Sequence, residues 1–353
     1  SSVKGRYVPQ ARRDGYNVNG KDRLGQEGYI TDELSQFTLE WLNQRKSEKP
    51  FFLYVSHKAA HADFIPAERH AYRYKDQKLP VHKDWKGNKV IEQGKPLWVQ
   101  NQRNSRHGIE YAYYTHLDME QYYQRYCETL LAVDDSVGEL MHWLDESGES
   151  ENTLVLYMGD NGFLFGEHGL IDKRNAYEES MRIPLMVKFP GVVSKGLKVP
   201  SMVANIDIAP TLLDVAGVRI PEHMDGRSFS PMLKGKNTPW RQYLLYEYFW
   251  ERNYPQTPTT HSLRGDRFKY IRYHGIWDKD ELYDLESDPD ELQNLIREPQ
   301  HQSRIKDMNR VLFDMLELSK GKEIPLQRDR GTQFFHRAAG GSSASGFTSD
   351  FYQ

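Results

Sequence analysis

Between residues 118 and 147 the apolar side chains recur at spacings of three and four, through Tyr122, Tyr126, Leu130, Val133, Val137, Leu140 and Leu144. That period predicts one long amphipathic helix, ended by Ser147-Gly148-Glu149-Ser150. The pattern then changes. Thr153 to Met158 is a compact apolar run with the length and β-branched content of a buried strand, and Pro184 to Phe189 is another. Phe51 to Ser56, entered from Pro50, is a third. A helix is predicted over 32–46, with Thr31 or Asp32 as N-cap and Leu34, Phe37, Trp41 and Leu42 on one face. Asp207 is placed as the cap of a further helix, with Pro210 in its first turn and Gly217 just past its end. This alternation of helix and strand suits a doubly wound α/β sheet over residues 1–240.

From about residue 240 the character shifts. Leu244 to Trp250 and Ser262 to Tyr273 read as strands of an antiparallel hairpin, Glu281 to Leu285 leads into a charged turn, and a helix is predicted near 301–318. Residues 241–327 are therefore expected to form a small α+β subdomain. Residues 1–30 show no clear period and read as irregular loop. The stretch 62–117 reads as a polar, loop-rich insertion of the kind that is often functional. Residues 328–353, rich in Gly and Ser, read as a flexible tail.

Composition narrows the class. Of the 353 residues 38% are hydrophobic and 27% charged, which fits a soluble globular protein with a sizeable core. A net charge of −3 without a basic, aromatic-interleaved block argues against a nucleic-acid partner. No apolar run reaches the length of a membrane span. The single cysteine, Cys127, excludes an intramolecular disulfide and a cysteine zinc cluster; within the helical pattern beside Tyr126 and Leu130 it reads as a core thiol. The first residues, Ser1 to Arg6, are polar and basic, and no apolar signal segment follows them.

The chemistry gathers at predicted strand ends. The strand at 153–158 runs into Gly159-Asp160-Asn161-Gly162, four residues suited to tight backbone. An isolated sequence of this kind is ordinarily a turn, but here a buried strand delivers Asp160 and Asn161 together at its C-terminal end, where open α/β sheets place ligands. Their oxygens suit a hard divalent cation. Downstream, His168 and Lys173 are donors for an anion held on such a cation; the alternative for the run Lys173 to Glu179 is a solvated helix face. At the end of the strand 51–56 lie His57, Lys58 and His61, a spacing that on a helix would suit zinc and at a strand edge suits anion binding. No Gly-x-Ser-x-Gly elbow and no Walker loop is present. These residues supply a cation site and cationic donors, with no nucleophile.

Four segments taken together resemble one family. They are PFFLYVSHKAAH (50–61), GDNGFLFGEHGLIDKRNAYEESMRIPLMVKFPG (159–191), NIDIAPTLLDVAGVRIPEHMDGRSF (205–229) and ELYDLESDPDELQNL (281–295), spread over most of residues 30–295. The chain resembles the type I, formylglycine-dependent sulfatases of the alkaline-phosphatase-like superfamily. The resemblance implies a mixed β-sheet sandwiched between helices, followed by a small C-terminal antiparallel sheet with a helix. It implies that Asp160 and Asn161 ligate calcium, that Lys173 contacts the sulfate, and that His61 binds the sulfate or protonates the leaving oxygen. It puts His168 and, more weakly, Lys58 and His57 on the substrate side.

The same resemblance shows a departure. The family's nucleophile, in Cys/Ser-x-Pro/Ala-x-Arg, and its remaining calcium ligands have no counterpart here; Cys127 is followed by Glu-Thr-Leu-Leu. The expectation is that an N-terminal segment or a second chain of the same enzyme supplies the formylglycine. The expected activity is sulfuric ester hydrolysis on a sulfated carbohydrate, the GEHG and YEES wording being closest to glycan sulfatases, in a secreted, periplasmic or lysosomal setting. Two alternatives stay open: a phosphodiesterase or phosphonate hydrolase on the same scaffold, and a sulfated-glycan-binding remnant without turnover.

Overall fold

A computed structural model of the chain describes residues 28–45, 49–61, 64–78, 94–102, 118–171, 173–250, 257–274 and 278–322, together with five short strands outside these ranges. The helices are α1 (Ile30–Gln44), α2 (Leu97–Gln102), α3 (Met119–Glu146), α4 (Glu178–Met181), α5 (Ile208–Val215), α6 (Ser230–Leu233) and α7 (Gln302–Leu318). The strands are β1 (Val3–Gly5), β2 (Gly15–Val18), β3 (Lys21–Leu24), β4 (Val155–Met158), β5 (Leu185–Lys188), β6 (Tyr243–Tyr248), β7 (Thr259–Gly265), β8 (Phe268–His274), β9 (Glu281–Asp284), β10 (Arg337–Ala338) and β11 (Gly341–Ser342). The chain is α/β in its larger part and α+β towards its C-terminus, as the pattern predicts. Apart from β10 and β11, the expected tail at 328–353 lies outside the described residues.

The chain divides into two compact units. The first comprises 1–81, 111–155 and 187–191. Here β1, β2 and β3 form an antiparallel sheet with Val3 opposite Val18 and Gly15 opposite Leu24, where the sequence predicts irregular loop. The signal overlooked is Asn19-Gly20, the pair favoured between two-residue hairpin strands. Helix α1 starts earlier than predicted, with Tyr29 and not Thr31 or Asp32 in the N-cap position. Its buried face is Thr31, Ser35 and Leu42, while Leu34, Phe37 and Trp41 are half-buried. The reason is close packing on α3 through small hydroxyl residues: Ser35 Oγ lies 2.6 Å from Ser136 Oγ. Asp118 caps α3 by accepting the Glu120 amide at 2.8 Å. The predicted strand 51–56 is extended with alternating exposure, Phe52 being 72% and Tyr54 81% exposed, and no ladder joins it among the described residues.

The second unit comprises 82–110, 156–186 and 192–353. Its four-stranded antiparallel sheet has the order β6-β7-β8-β9. The predicted single strand at 262–273 is in fact β7 and β8, folded back at Gly265-Asp266-Arg267 so that Arg264 faces Lys269. Leu245, Leu263, Tyr270 and Leu282 stand in one row across the sheet. Met308, Leu312 and Leu316 of α7 pack on that row, each buried Leu contributing about 1.5–3 kcal/mol. Ile271, Tyr273 and Tyr283 belong to a second cluster with Trp98 and Val99 of α2 and with Leu164, Leu170, Ala176 and Tyr177. Burial on both faces explains why β7, β8 and β9 read as nearly continuous buried runs.

Asp207 precedes α5 as predicted, but it does not cap through its side chain. Its carboxylate accepts the amides of Ala204 and Arg227, each at 2.8 Å, and pairs end-on with both Nη atoms of the Arg241 guanidinium. Gly217 follows the helix at φ +69°. Strands β4 and β5 form a two-stranded sheet, and the loop leaving β4 carries the candidate site.

Candidate functional site

Glycine makes the turn after β4 possible. A Cβ on Gly162 would lie 1.9 Å from the Glu179 carbonyl oxygen, so only glycine permits this approach. The Gly162 amide donates to Ser180 O at 2.9 Å, and the Gly159 amide to Pro184 O at 3.3 Å. The loop is thereby fixed to the segment around α4. Asp160 and Asn161 are both exposed at its tip. Asp160 Oδ1 accepts the Asn161 amide at 2.8 Å, and Asn161 Nδ2 donates to Gly162 O at 2.7 Å. That donation fixes the amide so that Oδ1 faces Lys173 Nζ, 3.3 Å away. Asp160, Asn161 and Lys173 are thus brought together.

Behind them the loop 166–169 holds unusual backbone. Gly166, His168 and Gly169 have φ of +112°, +55° and +71°. For His168 the left-handed region costs roughly 1–2 kcal/mol. Its ring is buried, packs tilted by 31° against Tyr177 with centroids 4.0 Å apart, and has Nε2 3.5 Å from Glu179 Oε2.

The segment after Lys173 is gripped by charged residues of the C-terminal sheet. Lys269 Nζ donates to Ala176 O and to Glu178 Oε1, each at 2.9 Å, and lies 2.7 Å from Glu291 Oε1. Arg264 reaches Glu178 Oε2 at 3.2 Å. The Glu178 amide donates to Glu291 Oε2 at 2.7 Å. Burial alone would raise the Glu178 carboxyl, but Lys269 and Arg264 outweigh it and hold it down to about 2. For Glu291 the balance reverses: burial outweighs Lys269 and Lys95 and pushes it up to about 7, despite the short approach to Lys269.

Glu281 lies deeper, accepting hydrogen bonds from the hydroxyls of Tyr177, Tyr273 and Tyr283. Lys95 Nζ sits 3.7 Å from Glu281, donates to Tyr283 Oη and Glu291 O at 2.7 Å each, and lies 4.1 Å from the Tyr177 ring centroid. Burial lowers the Lys95 ammonium and raises all three phenols. Lys95 belongs to the insertion at 62–117, much of which lies outside the described residues.

In the first unit the loop after the extended segment 51–56 carries the other predicted donors. His61 is exposed, Lys58 half-buried, and the His61 amide donates to Lys58 O at 2.9 Å to close the turn. His57 Nε2 lies 3.1 Å from Ser136 Oγ.

Among the described residues two groups offer themselves to a metal. Asp160 and Asn161 supply oxygen donors, one of them anionic, and the Asn161 amide oxygen also accepts from Lys173; this donor chemistry fits a hard cation such as calcium as part of a larger ligand set. His168, Glu179 and Glu291 also bring donor atoms within 4.8 Å of one another. That second group fits poorly, because the Lys269 ammonium already occupies the face of Glu291.

The sulfatase family model matches residues 3–218, more than half of the chain. The chain belongs to the sulfatase family. A second model, N-sulphoglucosamine sulphohydrolase, C-terminal, matches residues 166–317. Among relatives of this sulfatase chain, the N-acetylglucosamine-6-O-sulfatase of Bacteroides thetaiotaomicron is 29% identical over 87% of the chain and 63% of its own length. The bovine N-acetylglucosamine-6-sulfatase is 33% identical over 70% of the chain and 44% of its own length. The chain thus spans about half to two thirds of these relatives. A protein solved in complex with its substrate D-glucosamine-2-N,6-O-disulfate matches with a TM-score of 0.77 and 25% identity over 91% of this chain and 75% of its own. These likenesses support the alkaline-phosphatase-like fold. The phosphonate monoester hydrolase of Agrobacterium radiobacter, at TM-score 0.70 and 23% identity over 82% of this chain and 60% of its own, shares the fold alone.

Sequence reasoning missed the supporting residues Lys95, Lys269, Glu281 and Glu291. A charge inside a strand of otherwise apolar and aromatic residues, as Lys269 stands between Phe268 and Tyr270, is the signal that could have found one of them.

Proposed function

We propose that this chain is part of a sulfuric ester hydrolase that removes sulfate from a sulfated carbohydrate, with a 6-sulfated glucosamine as the first candidate. The observation carrying the reading is the group Asp160, Asn161 and Lys173, oxygen donors for a cation beside an ammonium for an anion, within a sulfatase chain. Asp160 and Asn161 hold calcium, which supplies positive charge against the sulfuryl oxygens. Lys173 places a compact second charge there. His61 hydrogen-bonds the ester and gives a proton to the departing alkoxide. Lys58 and His168 belong to the substrate side, His168 from a buried position. The nucleophile in this reading is a formylglycine that residues 1–353 do not contain. A secreted, periplasmic or lysosomal setting suits such a substrate, and no described helix is long and apolar enough to cross a membrane.

The test assays the whole enzyme on 6-sulfated glucosamine and an aryl phosphodiester in parallel. Sulfate release should dominate, and Lys173→Ala or His61→Ala should each lower kcat by about 10²–10³-fold. Preferential cleavage of the phosphodiester would overturn the reaction class. A near-normal kcat in either variant would overturn that residue's role.

A further inference from the structure

Three hydroxyl and imidazole contacts in the first unit form a continuous line. Ser35 Oγ lies 2.9 Å from Thr31 O and 2.6 Å from Ser136 Oγ, and Ser136 Oγ lies 3.1 Å from His57 Nε2. Ser35 and Ser136 are buried. The Thr31 carbonyl can only accept, and each hydroxyl has one proton to give. All three contacts are hydrogen bonds only if Ser35 donates to Thr31 O, Ser136 donates to Ser35, and His57 donates from Nε2 to Ser136. Reversing the line leaves the Ser35–Thr31 contact unmade. It also puts the imidazole proton on His57 Nδ1, a buried atom with no acceptor among the described residues. A buried N–H without an acceptor is the rarer and costlier defect.

We propose that His57 is a positioning residue, held by the Ser136–Ser35–Thr31 line as the neutral Nε2–H tautomer, and that it ties the turn bearing Lys58 and His61 to α1 and α3. The importance of that turn rests on the functional reading above; the tautomer does not. Burial acts in the same direction, depressing the imidazole's affinity for a second proton. His57 therefore adds no positive charge to this loop, and anion binding there falls to Lys58 and His61. The sequence gives His57 and Lys58 the same weak standing; the hydrogen-bond line separates them.

The experiment uses the whole enzyme with isotope-labelled histidine at pH 7. Nitrogen-detected imidazole spectra should show His57 protonated at Nε2 and bare at Nδ1, and Ser136→Ala should turn this into a tautomer mixture. The His61 amide, bonded to Lys58 O, should exchange with solvent roughly fivefold faster in Ser136→Ala, the worth of one neutral hydrogen bond. His57→Ala should lower kcat/KM by a similar factor. His57→Gln, whose amide nitrogen can also donate to Ser136, should restore both exchange and kcat/KM. An Nδ1–H or doubly protonated His57 in the wild type would overturn the proposal. So would unchanged His61 exchange in Ser136→Ala, or a Gln variant as impaired as the Ala variant. Absence of sulfatase activity in the wild type would defeat the functional reading while leaving the spectra and the exchange to decide this one.

Discussion

Replacing Glu178 by Gln removes one charge from the cluster that grips the segment after Lys173 and leaves its shape almost unchanged. Lys269 Nζ at 2.9 Å and Arg264 at 3.2 Å hold the Glu178 carboxyl down to about 2, against an ordinary value of 4.5. That difference corresponds to about 3 kcal/mol of preference for the ionised form in the folded chain. The pKa is depressed on folding, so the stabilisation is present above pH 4.5 and is lost as pH falls towards 2. Urea unfolding at pH 7, 5, 3 and 2 should show Glu178→Gln less stable by about 3 kcal/mol at pH 7. The gap should hold to about pH 5 and close by pH 2. A loss under 1 kcal/mol at pH 7 would refute the reasoning, and so would a gap that stays constant with pH.

Two further substitutions probe the frame. Gly162→Ala must push its Cβ away from the Glu179 carbonyl, so it should cost about 1–3 kcal/mol in denaturant unfolding. By displacing Asp160 and Asn161 it should also lower kcat of the whole enzyme by about 10²-fold. Arg241→Met leaves the Asp207 carboxylate buried without its counter-charge and should lower stability by about 3–5 kcal/mol, read from the urea midpoint.

The elements legible in the sequence are those whose own periodicity decides them. The long helix α3, the strands β4 and β5, and helices α5 and α7 fall close to their predicted places. Helix α1 was harder because its buried face uses Thr31 and Ser35, which a hydrophobic count passes over. Phe51 to Ser56 has the composition of a strand, but pairing is a property of neighbours, and none joins it among the described residues. The loop 159–162 and Lys173 could be considered together from the sequence because only twelve positions separate Asn161 from Lys173. Lys95 and Glu281 were not, since 186 positions separate two groups that meet only in the folded unit.

The grip on the segment after Lys173 has a consequence for how such a chain can change over generations. Tyr177 and Glu178 are held by Arg264, Lys269, Glu281 and Glu291 from the far end of the unit. A recombination break between residue 181 and residue 264 would separate a carboxylate from its cations and a phenol from its acceptor. The two halves are therefore expected to descend together, as a single heritable module. The sulphohydrolase C-terminal match, which opens at residue 166 and closes at 317, encloses every member of that set, whereas Lys95, 3.7 Å from Glu281, lies outside it. Lys95 should then vary in step with Glu281 although it lies outside the module's bounds.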